Sequence, residues 1–242
     1  MKLSIVTVVL NDVLNVEQTI KSVISQGVDL EYIIIDGGSS DGTLKVLERH
    51  KDKIDIFISE KDSGIYDAMN KAISLASGEW VCFMNSGDMF YDKDVLKSIE
   101  NELIDEIDVL YGDWEVRYTD KTRVAKADKS VKNIWKGMVF SHQSCFVKKE
   151  LLQKYRFNTK NSIAADFELF YTLFKANRVF KYIPITIASV SAGGVSDIKR
   201  VESILSRYKV IDKGIFRTIY YLFLIKIEYF KGIVKKILVL KK

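Results

Sequence analysis

The stretch that decides the fold is Ile33-Ile34-Ile35-Asp36-Gly37-Gly38-Ser39-Ser40-Asp41-Gly42-Thr43, an apolar run that stops abruptly in small polar residues and carboxylates. The segment from Val81 to Asp88, VCFMNSGD, has the same organisation. Such runs are typical of strands buried on both faces of a parallel sheet, and ligands bind beyond the carboxyl ends of these strands. A third segment, Ala164 to Leu169, places an acid within a helical pattern. Together the three segments predict a site built from carboxylates.

Strand and helix patterns alternate along the first 111 residues, which indicates a mostly parallel sheet flanked by helices. We therefore predict an α/β, Rossmann-like fold. The predicted strands are 3–9, 31–35, 54–58, 80–84, 108–111 and 182–190, the last broken at Pro184, and the predicted helices are 16–27, 42–50, 65–76, 93–103, 150–155 and 167–176. The polar, alternating residues 113–130 predict an antiparallel hairpin or excursion. We assign residues 1–200 to one main domain and residues 201–242 to a tail.

Composition excludes several classes of protein. The 242 residues are 48% hydrophobic and 12% aromatic, enough for one large core and too much for a disordered chain. The net charge is +5, but residues 213–242 carry +7 and the rest carries −2, so a uniformly basic nucleic-acid-binding surface is not expected. Cys82 and Cys145 form no CxxC pair, which fits a reducing cytosol. Because Leu3 to Leu10 has the pattern of a strand, we predict no signal peptide.

The loop from Asp36 to Thr43 suits a ligand at the end of a strand. Its glycines allow the backbone to approach a ligand closely, and the helix that follows would favour an anion at its N-terminus. The loop is neither a GxGxxG dinucleotide fingerprint nor a GxxxxGK[ST] phosphate loop. A plain Gly/Ser/Asp turn between strand and helix is the alternative.

Five segments in order resemble the family-2 glycosyltransferases, which have the nucleotide-sugar-binding GT-A fold. The resemblance extends over about residues 3–195, and the Ser59 to Lys71 segment is similar to the branch that acts in bacterial capsular, exopolysaccharide or colanic-acid-like synthesis. The matching segments are Ser4 to Thr7 with Asn11, Asp36 to Thr43, Ser59 to Lys71, Asn85 to Asp88, and Ala165 to Glu168.

The resemblance implies a set of donor-binding residues. Thr7 and Asn11 match residues that touch the nucleoside, Asp36 matches an acid beside the base, and Asn70 matches an asparagine behind the diphosphate. Position 37, where relatives have a second acid beside the base, is glycine here. The full set expected to bind the nucleotide sugar is Thr7, Asn11, Asp36, Gly38, Ser39, Asp62, Asn70, Ser86 and Asp88.

The resemblance also implies a metal ligand and a catalytic base. Asp88 matches the last acid of the motif that holds a divalent cation, and hard oxygen ligands favour Mg²⁺ or Mn²⁺. Asn85 and Gly87 stand where many relatives have acids. Asp166 matches the base that takes the proton of the attacking acceptor hydroxyl. The alternatives are a helix or turn cap for Asp88 and a helix N-cap for Asp166.

The candidates for the acceptor site are weaker. His142 and Gln143 follow an apolar segment, and His142 could approach the metal or the acceptor or be a hydrogen-bonded structural residue. Trp114 could stack on a sugar. The other candidates are Glu168 and the pair Gly193 and Gly194, for which a plain turn is an equal explanation.

The tail predicts a basic amphipathic helix. Lys213, Arg217, Glu228, Lys231, Lys235 and Lys242 are spaced close to whole helical turns, and apolar residues from Ile219 to Leu238 occupy most of the remaining surface. The longest uncharged run has eight residues, far below the ~20 that span a bilayer. We expect the helix to lie in a membrane interface. The alternative is a helix that packs on its own domain or on a second subunit, as in a homodimer.

These observations predict an inverting, metal-dependent glycosyltransferase that moves a sugar from a nucleotide sugar, of the UDP type, to a glycan. A lipid-linked oligosaccharide acceptor, used at the inner face of a bacterial cell membrane from the cytoplasmic side, would explain the tail. One alternative is a catalytically inactive nucleotide-sugar-binding subunit of a polysaccharide-synthesis complex. Another is a Rossmann-type oxidoreductase, which the absence of the glycine fingerprint disfavours.

Overall fold

The computed structural model describes residues 3–240 and, within that range, every side chain except Ser196 and those of residues 233–240. The strands are β1 (Leu3–Val9), β2 (Glu31–Asp36), β3 (Ile56–Ser59), β4 (Trp80–Phe83), β5 (Met89–Phe90), β6 (Val109–Arg117), β7 (Thr122–Ala125), β8 (Cys145–Lys148) and β9 (Phe180–Ser191). The helices are α1 (Val16–Ile24), α2 (Thr43–Arg49), α3 (Ile65–Leu75), α4 (Val95–Ile99), α5 (Lys149–Tyr155), α6 (Ala165–Lys175), α7 (Val195–Ile198), α8 (Arg200–Val210) and α9 (Ile215–Leu240).

One mixed sheet has the strand order β3-β2-β1-β4-β8-β6-β9-β5, and β7 pairs with β6 at the side. Strands β3, β2, β1 and β4 are mutually parallel, and β6 and β9 run in the same direction. Strands β8, β5 and β7 run the opposite way. The prediction of a mostly parallel sheet is confirmed, and the carboxyl ends of β1, β2 and β4 open at one edge.

The uninterrupted apolar runs are explained by burial on both faces of the sheet. Ile33 and Ile35 lie in one hydrophobic cluster, which also contains residues of α3 and α6. Ile34 lies in the other cluster, with residues of α1 and α4. Alternate side chains of one strand therefore enter opposite cores, as the pleat requires.

The structure corrects one expectation about the second half of the sheet and adds two strands that the sequence did not predict. The strand at Pro184 is not broken: β9 runs through it, and the register against β6 shifts between Tyr111 and Trp114. A bulge is one of the few places where a sheet accepts proline. Gly112 permits the close approach here, because an added Cβ would lie 2.5 Å from the Ile185 carbonyl oxygen. The pattern also missed β5 and β8, which are short and antiparallel.

Part of the tail packs on the domain. Tyr221 of α9 is 1% exposed and its hydroxyl donates to the Trp135 carbonyl oxygen (2.9 Å), while Tyr220 meets the Trp135 ring edge-on at 5.2 Å. The opposite face of α9 is apolar and exposed, with Phe216 at 86% and Phe230 at 67%. Within residues 3–240 no helix is both long enough and apolar enough to cross a membrane. The predicted side-chain positions of Lys235, Lys242, Ile233, Val234, Ile237 and Leu238 lie outside the described residues.

Candidate active site

A cavity of about 640 Å³ lies at the carboxyl ends of β1 and β4. Asn11 and Asp62 line it together with Ser86, so three of the predicted donor-binding residues meet there. Gly193 and Gly194, predicted for the acceptor site, line the same cavity, which α7 flanks through Val195 and Ile198. The remaining lining residues are Val8, Val9, Leu10, Asp12, Gly64, Ile65, Ala68 and Asn85.

The Asp36 loop is fixed by its own carboxylate. Asp36 is fully buried, and its Oδ2 accepts hydrogen bonds from the backbone N–H groups of Gly38 and Ser39 (3.0 Å each) and from the Ser59 hydroxyl (2.7 Å). Its Oδ1 has no protein partner among the described residues. The Ser39 hydroxyl in turn accepts from the backbone N–H of Asn11 (2.8 Å), so the loop after β2 is joined to the loop after β1.

Gly37 leaves room for the carboxylate of Asp62. A Cβ at position 37 would lie 2.5 Å from Oδ2 of Asp62. The other oxygen of Asp62 accepts a hydrogen bond from the Gly64 N–H (2.8 Å), so the carboxylate cannot rotate away without losing it. The absence of a side chain at position 37 therefore lets Asp62 form part of the cavity wall.

Asp88 is held through both carboxylate oxygens. Oδ1 accepts from the backbone N–H of Ser191 (3.0 Å) and Oδ2 accepts from the Gln143 amide (2.7 Å). Burial raises the pKa of Asp88 above its ordinary value, although these two hydrogen bonds and the charges of His142 and Arg117 oppose the change. The residue is 8% exposed and begins no helix, so the alternative of a helix cap does not describe it.

Asp166 is the second residue of α6, whose N-cap position is Ala164, so the N-cap alternative is wrong. Its Oδ1 accepts from the Tyr66 hydroxyl (3.2 Å), and its Oδ2 lies 3.5 Å from Nδ1 of His142. Burial raises the pKa of this carboxyl, but the hydrogen bond and charge of His142, with smaller contributions from Phe167 and Tyr66, lower it by more. The net result is a pKa below the ordinary value and a carboxylate that is ionised at neutral pH.

Thr7 and Asn70, which were predicted to contact the nucleotide sugar, instead bond to other parts of the protein. Thr7 is 0% exposed, and its hydroxyl donates to the Met84 carbonyl oxygen (2.7 Å), which does not fit contact with a nucleoside. Asn70 bonds the backbone of Phe157 through both amide atoms (2.8 and 3.0 Å). The Phe157 ring stacks on Tyr66 with a centroid distance of 5.5 Å. Asn70 therefore stabilises the wall that carries the hydrogen-bond partner of Asp166.

Four predicted acceptor-site residues lie outside the cavity lining: Trp114, His142, Gln143 and Glu168. Glu168 accepts hydrogen bonds from the side chains of Asn158 (2.9 Å) and Asn161 (2.8 Å) and lines a separate surface groove beside α8. Trp114 is half-buried on β6, against the hydrophobic cluster. His142 and Gln143 contact the two predicted functional acids, Asp166 and Asp88 respectively.

Sequence reasoning missed four residues of this region. Asp12 lines the cavity and accepts from the Ser86 hydroxyl (2.6 Å). Tyr66 bonds Asp166, and Asn85 lies 3.1 Å from Nε2 of His142. Arg117, at the end of β6, donates to Gly87, Ser189 and Ser191. Asp12, Tyr66 and Asn85 lie within the matching segments or directly beside one of them, whereas no signal in the sequence pointed to Arg117.

The site offers few protein ligands to a divalent cation. Among the described residues no group of three or more His, Cys, Asp or Glu side chains converges to hold a metal. Asp88 offers one carboxylate, and each of its oxygens has accepted one hydrogen bond, which leaves a lone pair free. Mg²⁺ is usually bound by one or two carboxylates plus substrate phosphates, so Asp88 suits a cation held jointly with a diphosphate.

The cavity at the strand ends, and the ionised Asp166 linked to it through His142 and Asn85, agree with what sequence comparison shows. The sequence model of glycosyl transferase family 2 matches residues 4–182. The chain therefore belongs to this family, and its sheet and helices form the GT-A fold.

Curated relatives share the family. The chain is 28% identical over 177 residues to a PGL/p-HBAD biosynthesis glycosyltransferase of Mycobacterium tuberculosis, covering 70% of this chain and 68% of the relative. It is 32% identical over 108 residues to the Escherichia coli UDP-Glc:alpha-D-GlcNAc-diphosphoundecaprenol beta-1,3-glucosyltransferase WfgD, covering 42% of this chain and 43% of that enzyme.

Solved structures share the fold. S. aureus TarS 1-349 in complex with UDP superimposes with a TM-score of 0.67 at 17% identity, over 91% of this chain and 70% of that one. The chain covers 39% of the longer TarS structure. The mannosyltransferase PcManGT from Pyrobaculum calidifontis, in complex with GDP-Man and Mn²⁺, also has a TM-score of 0.67, at 16% identity, over 88% of this chain and 64% of that one.

Proposed function

We propose that the protein is an inverting glycosyltransferase that moves a sugar from a UDP-sugar to a hydroxyl group of a glycan. The observation that carries this proposal is the connection between the cavity and the base. Asn85 lines the cavity, contacts His142, and His142 contacts Asp166. A nucleotide sugar in the cavity would therefore contact a wall that is linked, through Asn85 and His142, to an ionised carboxylate.

Asp166 is the residue that removes the acceptor proton. Its lowered pKa keeps the carboxylate ionised at neutral pH, so it can accept the hydroxyl proton as the oxygen attacks the anomeric carbon. The new bond forms on the face opposite the leaving nucleoside diphosphate. One base and one direct displacement invert the anomeric configuration.

Asp88 is the residue that would hold a divalent cation, Mg²⁺ or Mn²⁺, together with the diphosphate of the donor. When bound, such a cation neutralises the negative charge that develops on the leaving diphosphate. The Gln143 amide and the Ser191 N–H orient the Asp88 carboxylate for this task. The complex of PcManGT with GDP-Man and Mn²⁺ supports the cation, and the complex of TarS with UDP supports a uridine nucleotide.

We infer a role in the synthesis of a bacterial surface polysaccharide on a lipid-linked acceptor. WfgD is named for a diphosphoundecaprenol-linked acceptor, which supports this class of substrate. The exposed apolar face of α9 carries Phe216, Phe223 and Phe230, and Lys226 lies among them. A basic helix with such a face suits an anionic membrane surface, where the lipid-linked acceptor is found. We therefore infer that the enzyme acts at the cytoplasmic face of the cell membrane.

An inactive nucleotide-sugar-binding subunit is not favoured. Such a protein would have no need for an ionised carboxylate with two dedicated partners, and Asp166 has both Tyr66 and His142. The acid missing at positions 85 and 87 is the only feature that suggested inactivity.

The test is a thermal-shift screen of UDP- and GDP-sugars with and without Mn²⁺, followed by NMR of the sugar released by slow donor hydrolysis. Ligands that bind the folded state raise the melting temperature by mass action. We expect a UDP-sugar to stabilise the protein only with Mn²⁺, and the first sugar released from an α-linked donor to be the β anomer. Initial release of the α anomer would contradict inversion, and no stabilisation by any nucleotide sugar would contradict the donor class.

A further inference from the structure

Three side chains form one chain of polar contacts from the cavity wall to the base. Nδ2 of Asn85 lies 3.1 Å from Nε2 of His142, and Nδ1 of His142 lies 3.5 Å from Oδ2 of Asp166. The second distance exceeds that of an ordinary N–H···O bond. Catalytic hydrogen bonds are often this long before substrate binds and shorten in the complex.

For an imidazole that carries one proton, the donors and acceptors of this chain allow one arrangement. An ionised carboxylate only accepts, so Nδ1 of His142 must carry the proton that faces Asp166. A neutral imidazole then has no proton on Nε2, which must accept from the Asn85 amide. In this orientation Oδ1 of Asn85, a residue that is 7% exposed, is buried and has no hydrogen-bond partner among the described residues.

We propose that His142 is a positioning residue for the base: Asn85 holds its imidazole with Nδ1–H toward Asp166, and this N–H orients the Asp166 carboxylate toward the acceptor. This inference rests on the proposed role of Asp166 as the base. Tyr66 fixes the other oxygen of Asp166, so the two contacts together define the plane of the carboxylate. Catalysis depends on such placement, because a shift of about 1 Å can cost 10²-fold in rate.

The arrangement also accounts for an asparagine where many relatives have an acid. A carboxylate at position 85 could not donate to Nε2, so it would require a proton there. The imidazole would then be charged and placed between two carboxylates. An asparagine amide can donate to Nε2, so no proton is needed there for Nδ1–H to face Asp166.

Two substitutions separate the contacts of His142. His142→Asn keeps an amide N–H near the position of Nδ1, which faces Asp166, and loses the contact with Asn85. His142→Gln keeps an amide near the position of Nε2, which faces Asn85, and loses the donor to Asp166. With UDP-glucose and UDP-GlcNAc as probes and Mn²⁺ present, we expect His142→Gln to lower the kcat of donor hydrolysis about 10²-fold. We expect His142→Asn to stay within about tenfold of the wild type, because the oriented carboxylate is kept. KM for the donor should change little in both. Equal losses in the two variants, or no loss in either, would overturn the proposal.

A spectroscopic test does not depend on turnover. The chain has two histidines, His50 and His142, so a His50→Gln protein leaves one imidazole to observe. The ¹⁵N chemical shifts of ring-labelled histidine at pH 8.5 should show a protonated Nδ1 and an unprotonated Nε2. In an added Asp166→Ala substitution this preference should be lost. A dominant Nε2–H form in the His50→Gln protein would overturn the inference.

The two tests distinguish the possible failures. If the wild type hydrolysed neither UDP-sugar, the donor class of the proposed function would be wrong. The ¹⁵N shifts would still decide the arrangement of Asn85, His142 and Asp166. If hydrolysis occurred and the Nδ1–H form were missing, the proposed function would stand and the positioning role would fall.

Discussion

The guanidinium of Arg117 donates a hydrogen bond to the carbonyl oxygen of Gly87, the residue immediately before Asp88. Arg117 also donates to the hydroxyl groups of Ser189 (2.8 Å) and Ser191 (2.9 Å) on β9. The loop that carries the proposed metal ligand is therefore fastened to the last residue of β6 and to the end of β9. Three separate segments must keep their relative positions for Asp88 to keep its direction.

The first prediction concerns this link. Arg117→Met should weaken binding of UDP in the presence of Mn²⁺ about 10–100-fold, the usual effect of removing a residue that orients a metal ligand. Arg117→Lys should recover only part of the loss, because lysine lacks the planar fork that reaches several acceptors at once. Isothermal titration calorimetry measures both. Wild-type affinity in Arg117→Met would show that the loop needs no such support.

The second prediction concerns the metal ligand. Asp88→Ala should abolish the Mn²⁺-dependent part of UDP-sugar binding, since Asp88 is the one acid in the Asn85 to Asp88 motif. Asp52→Ala, which removes an exposed acid far along the chain from this motif, is the matched control and should bind as the wild type does. Calorimetry with and without Mn²⁺ is the measurement. Unchanged Mn²⁺-dependent binding in Asp88→Ala would refute the metal role.

The third prediction concerns the base. Asp166→Asn keeps the shape of the side chain and removes its basicity. Turnover should fall by the ~10²–10⁴-fold that is typical of losing a general base, while donor affinity is nearly kept. Initial rates and calorimetry on the same preparation separate the two effects. A mutant that transfers or hydrolyses at close to the wild-type rate would contradict the role.

The fourth prediction concerns pH. Burial favours the neutral form of Asp166, and His142 favours the ionised form and outweighs burial. Removing the His142 contact should therefore raise the pKa of Asp166. Because the base acts only when ionised, the acid limb of kcat/KM should lie at higher pH in His142→Gln than in the wild type. In the wild type, Asp166 should cause no loss of activity above its ordinary pKa of about 3.9. An acid limb that moves to lower pH in the variant would contradict this account.

The fifth prediction concerns α9. The triple substitution of Phe216, Phe223 and Phe230 by Gln changes only exposed side chains, so the melting temperature should stay near that of the wild type. Binding to vesicles of phosphatidylglycerol and phosphatidylcholine should fall strongly, and wild-type binding should weaken as salt rises. Co-sedimentation measures both. Equal vesicle binding would refute the membrane role, and a dimer that becomes a monomer on substitution would identify the face as a subunit contact.

A matched control lies on the other face of the same helix. Tyr221→Ala should lower the free energy of unfolding by about 3 kcal/mol or more, the cost of removing a large buried aromatic side chain. Truncation after Asp212 would remove this buried residue together with the exposed face. The surface substitutions therefore test membrane binding more cleanly than truncation does.

The sequence predicted the parallel half of the sheet well, because a strand buried on both faces leaves an unbroken apolar run. β1 was predicted with its observed bounds, and the strand predicted at residues 31–35 is β2, Glu31–Asp36. Short antiparallel strands carry no such signal. β5 has two residues, and β8 is defined by its pairing with β4 and β6 rather than by its own pattern. The extension of β9 through Pro184 depends on a bulge against β6, which is a property of two strands together.

The sequence predicted those parts of the site that lie at the ends of strands. Asn11, Asp62 and Ser86 meet in one cavity because the carboxyl ends of parallel strands share an edge. The contact between His142 and Asp166 joins a turn before β8 to the start of α6, and local patterns do not report on such pairs. Arg117 lies in the stretch that the sequence marked only as a polar excursion, so its contact with Gly87 could be found only in three dimensions.

The 2.5 Å approach between a Cβ at position 37 and the Asp62 carboxylate couples these two positions sterically. A side chain at position 37 would require the Asp62 carboxylate to turn away, at the expense of its hydrogen bond from the Gly64 N–H. A second acid after Asp36 should therefore be tolerated better in a double substitution, Gly37→Asp with Asp62→Gly, than alone.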